Sequence, residues 1–285
     1  MAGGLRNKYE PLTVSVSIPD ITDQEAARIA KNIGDEKAKE GKFDEAFQNY
    51  SMAIQDDPTF TEAYTARSFI YFRLNKHKEA IADISKALEI DPNNIIAYNT
   101  RAGIKESLGM YDEAIIDLDK VIELSPNYYV WYKNRGIVKM TVNKYKEAIE
   151  DFNKAAELKK DDYDIYLQRG TSFLNSSLFE EALLDLSKSI SLNPKSDTAF
   201  YNRGTAYLRL KKNEEAIADF DKAIQLNPKD DFSFNNRAIV KLQLGKYEDA
   251  ILDFEQALKL NPTKNSSLEG LREARKRIEA LKNKR

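Results

Sequence analysis

The chain has 285 residues, with 44 Lys or Arg against 46 Asp or Glu, a formal net charge of −2. A balance so near zero offers no field that would draw it onto nucleic acid or an anionic membrane. It has no Cys and one His, His77, which excludes disulfide frameworks, thiolate zinc sites, cysteine nucleophiles and multi-histidine metal sites.

Residues 1–22 come first. Leu12, Val14, Val16 and Ile18 alternate with Thr13, Ser15 and Ser17 between Pro11 and Pro19, an extended pattern. Disorder, packing on the following helices, and occupation of a groove in its own or a neighbouring molecule are all open for it. Thr22 and Glu25 have capping-box spacing, which predicts a helix start near Asp23. No apolar run of signal-peptide length opens the chain, and no stretch approaches the roughly 20 apolar residues of a membrane span. A cytoplasmic location and no membrane insertion are expected.

Prolines then set a frame. Six fall at 58, 92, 126, 194, 228 and 262, so the interval is 34 residues, with one double interval that skips Lys160. Regular spacing on this scale marks a repeat architecture. Units starting at 27, 61, 95, 129, 163, 197 and 231 give seven repeats, with a repeat domain over 23–264. Each unit reads as two amphipathic helices. In the last helix before Pro228, Phe220, Ala223 and Ile224 share a face, and the proline ends it. Short turns such as Leu108-Gly109-Met110 close the first helices. The twentieth place is always Ala, from Ala46 to Ala250, and the eighth is always Gly, Ala or Ser. Bulky residues sit opposite, at Tyr64, Tyr98, Tyr132, Tyr166, Phe200 and Phe234. Large-into-small matching of this kind is interior packing. Residues 265–285 predict a last helix, capped by Ser266 and Glu269, with Leu268, Leu271, Ala274, Ile278 and Leu281 as its apolar stripe. Its other face is basic, from Arg272 to Lys284 and Arg285, and reads as a solubilising cap rather than a nucleic-acid site.

A 34-residue helix-turn-helix with aromatic, Gly or Ala, Ala, Phe and Pro at these places resembles the tetratricopeptide (TPR) repeat. The units holding Phe200, Gly204, Ala216, Phe220, Ala223 and Pro228, and Tyr132, Gly136, Ala148, Phe152 and Ala155, carry the likeness most closely. The resemblance implies an all-α fold, a right-handed TPR superhelix or α-solenoid. Repeat 1 departs from the pattern, with Ala30 in the aromatic place.

Two places vary together. Arg67, Arg101, Arg135, Arg169, Arg203 and Arg237 hold the seventh place, where the TPR pattern usually has Leu. Asp83, Asp117, Asp151, Asp185, Asp219 and Asp253 hold the twenty-third of the same units, and repeat 1 lacks both, with Ile33 and Asn49. Joint presence and joint loss predict six Arg–Asp pairs within units, each a forked bond between the two helices. The alternative is a row of arginines lining a groove for an anionic ligand.

The resemblance further implies that places two, five, six, nine, twelve and thirteen of the first helices face an inner wall. The sixth place reads Asn32, Ala66, Thr100, Asn134, Gln168, Asn202 and Asn236. Side-chain amides both donate and accept, so they suit the backbone of an extended peptide; a polar inner surface without that role is the competing reading. Repeats 1 and 2 add Lys31, Phe69, Phe72 and Arg73, and later repeats add apolar residues including Met140. The carboxylate clamp of chaperone-adaptor TPR domains is not supported: Lys31 matches, but Asp35, Ala66, Ile96 and Thr100 stand at the other positions. His77 sits where other units carry Phe or Tyr and reads as an aromatic stand-in. The row Lys86, Lys120, Lys154, Lys188 and Lys222 reads as a solvated face, with an acidic partner as the alternative.

No phosphate loop or metal-spaced cluster is visible. The expectation is therefore a non-enzymatic adaptor without cofactors that holds a partner peptide or helix. The alternatives are a self-associating scaffold or assembly subunit using its ends and convex face, and a regulatory TPR domain cut from a larger enzyme.

Overall fold

A computed structural model describes residues 21–283. The alternating segment 12–18 and the cations Lys284 and Arg285 lie outside the described residues. The chain divides into two compact units, Met1–Ala97 and Tyr98–Arg285. The first holds α1 (Asp23–Lys39), α2 (Phe43–Asp56), α3 (Thr61–Arg73) and α4 (His77–Ile90). Helix α5 (Ile95–Ser107) spans the division. The second continues with α6 (Tyr111–Leu124), α7 (Tyr129–Thr141), α8 (Tyr145–Leu158), α9 (Tyr163–Asn175) and α10 (Phe179–Leu192). It ends with α11 (Asp197–Arg209), α12 (Asn213–Leu226), α13 (Asp231–Gln243), α14 (Tyr247–Leu260) and α15 (Asn265–Lys282). No strand occurs among the described residues.

From α3 onward every first helix starts at the first place of its 34-residue unit and every second helix at the seventeenth. Lys160 replaces a proline without disturbing this, since α8 still ends at Leu158 and α9 begins at Tyr163. Helix α1 starts earlier, at Asp23, because Thr22 and Glu25 exchange the reciprocal bonds of a capping box.

The turn inside each unit is a Schellman closure. A residue with positive φ, such as Gly41, Asn75 or Lys211, reverses the chain. The next N–H then bonds back five residues, as Lys42 does to the Lys37 carbonyl at 2.9 Å. The carbonyl of that same Lys42 accepts from Ala46 at 3.0 Å and starts the second helix. One residue thus finishes one helix and opens the next, and the second helices carry no side-chain cap.

All seven twentieth-place alanines are fully buried, since anything larger would separate the paired helices. The eighth-place glycines have a different bulky neighbour from the aromatics at Tyr64 and its equivalents. A Cβ on Gly136 would stand 2.8 Å from the Phe152 ring, one on Gly204 3.0 Å from Phe220, and one on Gly34 2.6 Å from Tyr50. The close approach is between the middle of the first helix and the twenty-fourth place on the second. The fourth-place aromatics lean towards the preceding turn instead, where the Tyr64 and Tyr132 hydroxyls donate to the carbonyls of Pro58 and Pro126.

The last helix differs from expectation in two respects. It starts at Asn265, so Ser266 does not cap it, and Ser266 and Ser267 donate instead to Asn235 of α13 at 3.3 and 2.8 Å. Within its stripe, Leu271 packs against the core around Phe254 and Ala250, and Ala274 is fully buried. Leu281 is exposed because the helix has by then run past the end of α14.

Candidate partner-binding site

The arginine row defines the inner frame of each unit. Arg203 donates through Nε to Asp219 Oδ2 at 2.7 Å and through its second amino group to Oδ1 at 2.8 Å. The same two-pronged contact joins Arg67 to Asp83, Arg101 to Asp117, Arg135 to Asp151, Arg169 to Asp185 and Arg237 to Asp253. All six carboxylates are buried. Each guanidinium also lies over the fourth-place aromatic of its own unit, at 5.5 to 5.9 Å from the ring centroid, a cation–π placement. The bond to Asp219 holds the Arg203 guanidinium above its ordinary value against the effect of burial.

The third prong of the fork reaches the preceding unit. Arg67 donates to Ser51, Arg135 to Asp119, Arg169 to Asn153, Arg203 to Ser187 and Arg237 to Asp221. Each of these acceptors lies sixteen residues behind its arginine, as the paired Asp lies sixteen ahead. Lysines at the eleventh place reinforce three of the pairs: Lys105, Lys139 and Lys241 reach Asp117, Asp151 and Asp253 at 2.7 to 2.9 Å. The arginines are occupied as ties within and between repeats and do not line an anion groove.

The sixth-place amides are divided. In the second unit, Asn202 is buried and donates to Thr171 at 2.9 Å, Asn236 donates to the Tyr201 hydroxyl at 3.2 Å, and Gln168 donates to Asp164 at 3.0 Å. Asn134 instead lines an open cavity, and Met140 packs against the cluster of Phe152 and Ile165. In the first unit Asn32 and Phe69 are exposed. Lys31 is paired with Asp35 at 2.7 Å, Arg73 lies over the Phe43 ring, and the Phe72 ring tilts against His77 at 5.6 Å. Among the described residues the buried Nδ1 of His77 has no hydrogen-bond partner.

Two cavities in the second unit lie between consecutive first helices. One, of about 340 Å³, is lined by Asn99, Ala102, Gly103 and Glu106 of α5, Asn134 and Ile137 of α7, and Leu118 of α6. The other, of about 410 Å³, lies between α11 and α13 and includes Leu208, Arg209, Asn236 and Ile239, with Lys211 at its rim. Among the described residues no group of three His, Cys, Asp or Glu is placed to hold a metal ion. No helix among them is long and apolar enough to cross a membrane. Lys86, Lys120 and Lys154 pair with Glu89, Glu123 and Glu157 three residues on, the arrangement of a solvated helix face.

Family models for the tetratricopeptide repeat match residues 61–94, 95–128, 132–162, 198–230 and 232–264, together more than half of the chain. The chain belongs to the tetratricopeptide repeat family. Its fold is all-α, as in solved TPR structures. A tetratricopeptide repeat protein from Parabacteroides merdae is 21% identical, with 88% of this chain and 99% of that one covered at a TM-score of 0.64. YrrB, described as a TPR protein with an unusual peptide-binding site, is 25% identical over 65% of this chain and 95% of its own, at 0.57. A chain of the APC/C hetero-tetramer Cut9-Hcn1 is 20% identical over 92% of this chain, at 0.64, and this chain spans 50% of its length. No curated protein matches. TPR proteins of this kind are protein-interaction modules, and this chain is a TPR protein-binding scaffold in that general sense.

Proposed function

We propose that the chain is a non-enzymatic adaptor that holds an extended peptide or helix of a partner protein along the first helices of its second unit. The observation that carries this is the pair of open cavities between α5 and α7 and between α11 and α13, each combining apolar wall with amides and charge. Such mixed lining suits a chain that must be gripped by backbone and by side-chain anchors together. YrrB's peptide-binding site supports the same use of this fold. Asn134 and Asn236 are the sixth-place amides that line these openings, Asn236 while also donating to Tyr201, whereas Asn202 and Gln168 hold the scaffold's own groups.

The test is affinity capture followed by mass spectrometry, comparing the native chain with Ile137→Arg and Ile239→Arg. Loss of the same partners in both variants, with circular dichroism unchanged, is the expected result. Retention of the full partner set by both would refute the proposal.

Particular exposed side chains favour a second reading, a scaffold that uses its ends and outer face. Ile21, Ile29, Ile33 and Met52 form an exposed apolar patch on the first repeat. Ile116, Leu184 and Leu252, at the same place of alternate repeats, are more than 60% exposed on second helices. Light scattering that shows a stable oligomer, dissolved by Ile29→Lys/Ile33→Lys, would support that reading.

A further inference from the structure

Helix α5 breaks the pattern of the inner places in two positions one turn apart. The twelfth place is apolar in every other repeat, at Ala38, Phe72, Met140, Leu174, Leu208 and Leu242, but is Glu106 here. At the ninth place, three residues earlier, stands Gly103, and a Cβ built on it would meet nothing within 4 Å. The other eighth- and ninth-place residues of the unit that lack a Cβ are glycines forced by a close ring or leucine, as at Gly136, Gly170 and Gly204. Among the described residues nothing forces a glycine at Gly103. Its effect is to open the cavity, and the effect of Glu106 is to charge it.

Asn99, Gly103 and Glu106 fall on one face of α5 by their spacing, and all three line the cavity with Asn134 and Ile137 of α7. Glu106 is half-buried and forms no salt bridge among the described residues, where the neighbouring lysines are committed elsewhere: Lys105 to Asp117, Lys139 to Asp151, and Lys133 to Asp162 and Asp164. A half-buried carboxylate without a counter-charge is normally avoided. Burial alone pushes its carboxyl above the usual value, with no compensating bond or charge. Groups that weaken a fold in this way are concentrated at sites of function.

We infer that the cavity between α5 and α7 receives a cationic side chain, lysine or arginine, from an extended partner chain. Glu106 supplies the counter-charge, and the amide oxygens of Asn99 and Asn134 accept the remaining donors. Ala102, Leu118 and Ile137 enclose the aliphatic stem, which long cationic side chains bury readily. Charge-assisted bonds formed away from bulk water are the strong ones, so this contact fixes where along the partner the chain docks. The inference rests on the adaptor reading and narrows it to a partner with a basic anchor.

The test uses the whole chain, labelled for NMR, titrated with acetyl-Gly-Leu-Lys-Leu-Gly-amide and with its Arg and norleucine analogues. Norleucine keeps the stem and removes the charge. The expected result is shifts at the Asn99 and Asn134 side-chain amides for Lys and Arg, with norleucine at least about tenfold weaker. Glu106→Gln is expected to reduce the Lys peptide to the norleucine level. Gly103→Leu, whose Cβ meets open space and whose side chain occupies the opening, is expected to abolish the shifts while the protein stays folded. Equal binding of Lys and norleucine peptides, an unchanged affinity in Glu106→Gln, or no shift at these amides overturns the inference. Shifts along the first helices without dependence on the cation would leave the adaptor reading standing and remove only this anchor. Retention of the full set of captured partners by both Ile137→Arg and Ile239→Arg would remove both readings.

Discussion

Arg135 donates through Nε to Asp151 at 3.0 Å, and that carboxylate is only 3% exposed. Lys139 reaches the same group at 2.9 Å. The arginine's second carboxylate partner, Asp119, is 52% exposed. One guanidinium therefore compares a buried and an exposed carboxylate directly. Asp151→Ala leaves two cations without their buried counter-charge and should destabilise by about 3–5 kcal/mol. Asp119→Ala should lose about 0–1 kcal/mol, and less as salt rises. Urea unfolding at two salt concentrations measures both, and similar losses would refute burial as the deciding factor.

Two glycines on equivalent helices should respond oppositely to alanine. Gly136→Ala drives a Cβ into the Phe152 ring and should destabilise by about 1–3 kcal/mol. Gly103→Ala meets open space and should stabilise by about 0.5–1 kcal/mol through helix propensity and a less flexible unfolded chain. Chemical denaturation of the two variants beside the native chain decides it.

The turns within units all pass through positive φ, at Gly41, Asn75, Gly109, Asn143, Ser177, Lys211 and Gly245. Ser177 and Lys211 bear a Cβ penalty there that glycine escapes. Lys211→Gly and Ser177→Gly should each gain up to about 1 kcal/mol, and Gly109→Ala should lose about as much. Melting temperatures report the sign directly.

Stability should also depend on pH at two places. Burial raises the Glu106 carboxyl above its usual 4.5, so the unfolded chain ionises first as pH rises. The stability associated with its neutral form is full below that value and lost as pH climbs through the folded one. Glu106→Gln should match the native chain in acid and exceed it at neutral pH. For Tyr50, burial and then its bond to Asp35 raise the phenol above 10.0. The native fold should weaken from that pH upward, and Tyr50→Phe should lack this alkaline decline. Thermal unfolding across the two ranges checks each slope, and an acid-range difference as large as the neutral one would exclude the Glu106 effect.

The repeat frame was legible because it is written in a linear period: prolines at 34-residue intervals mark the helix ends, and the joint loss of Arg and Asp at Ile33 and Asn49 points to where the charges meet. Contacts between repeats were harder to see. The arginine's rearward acceptor is Ser, Asp or Asn in different units, so no single residue type advertises it. The small eighth place showed that something large must approach, but not that Phe152 rather than Tyr132 would do so, since both are aromatic. The amides of Asn202 and Asn236 looked equivalent to Asn134 by spacing. Thr171 and Tyr201, on the preceding first helix, happen to offer hydroxyls to the first two. Glu106 is not conspicuous in the sequence, because its meaning lies in contrast with six other repeats and in the space left by Gly103.

The sixteen-back, sixteen-forward reach of the arginines has a bearing on how such a chain changes over generations. Removing or duplicating 34 residues inside the series returns every remaining arginine to an Asp ahead and an acceptor behind. Gene-level gain or loss of a whole unit is thus met by ready-made neighbours, while an insertion of any other length strands a buried charge. The chain is built from interchangeable parts, each carrying its own forward acid and a rearward acceptor for the arginine that follows.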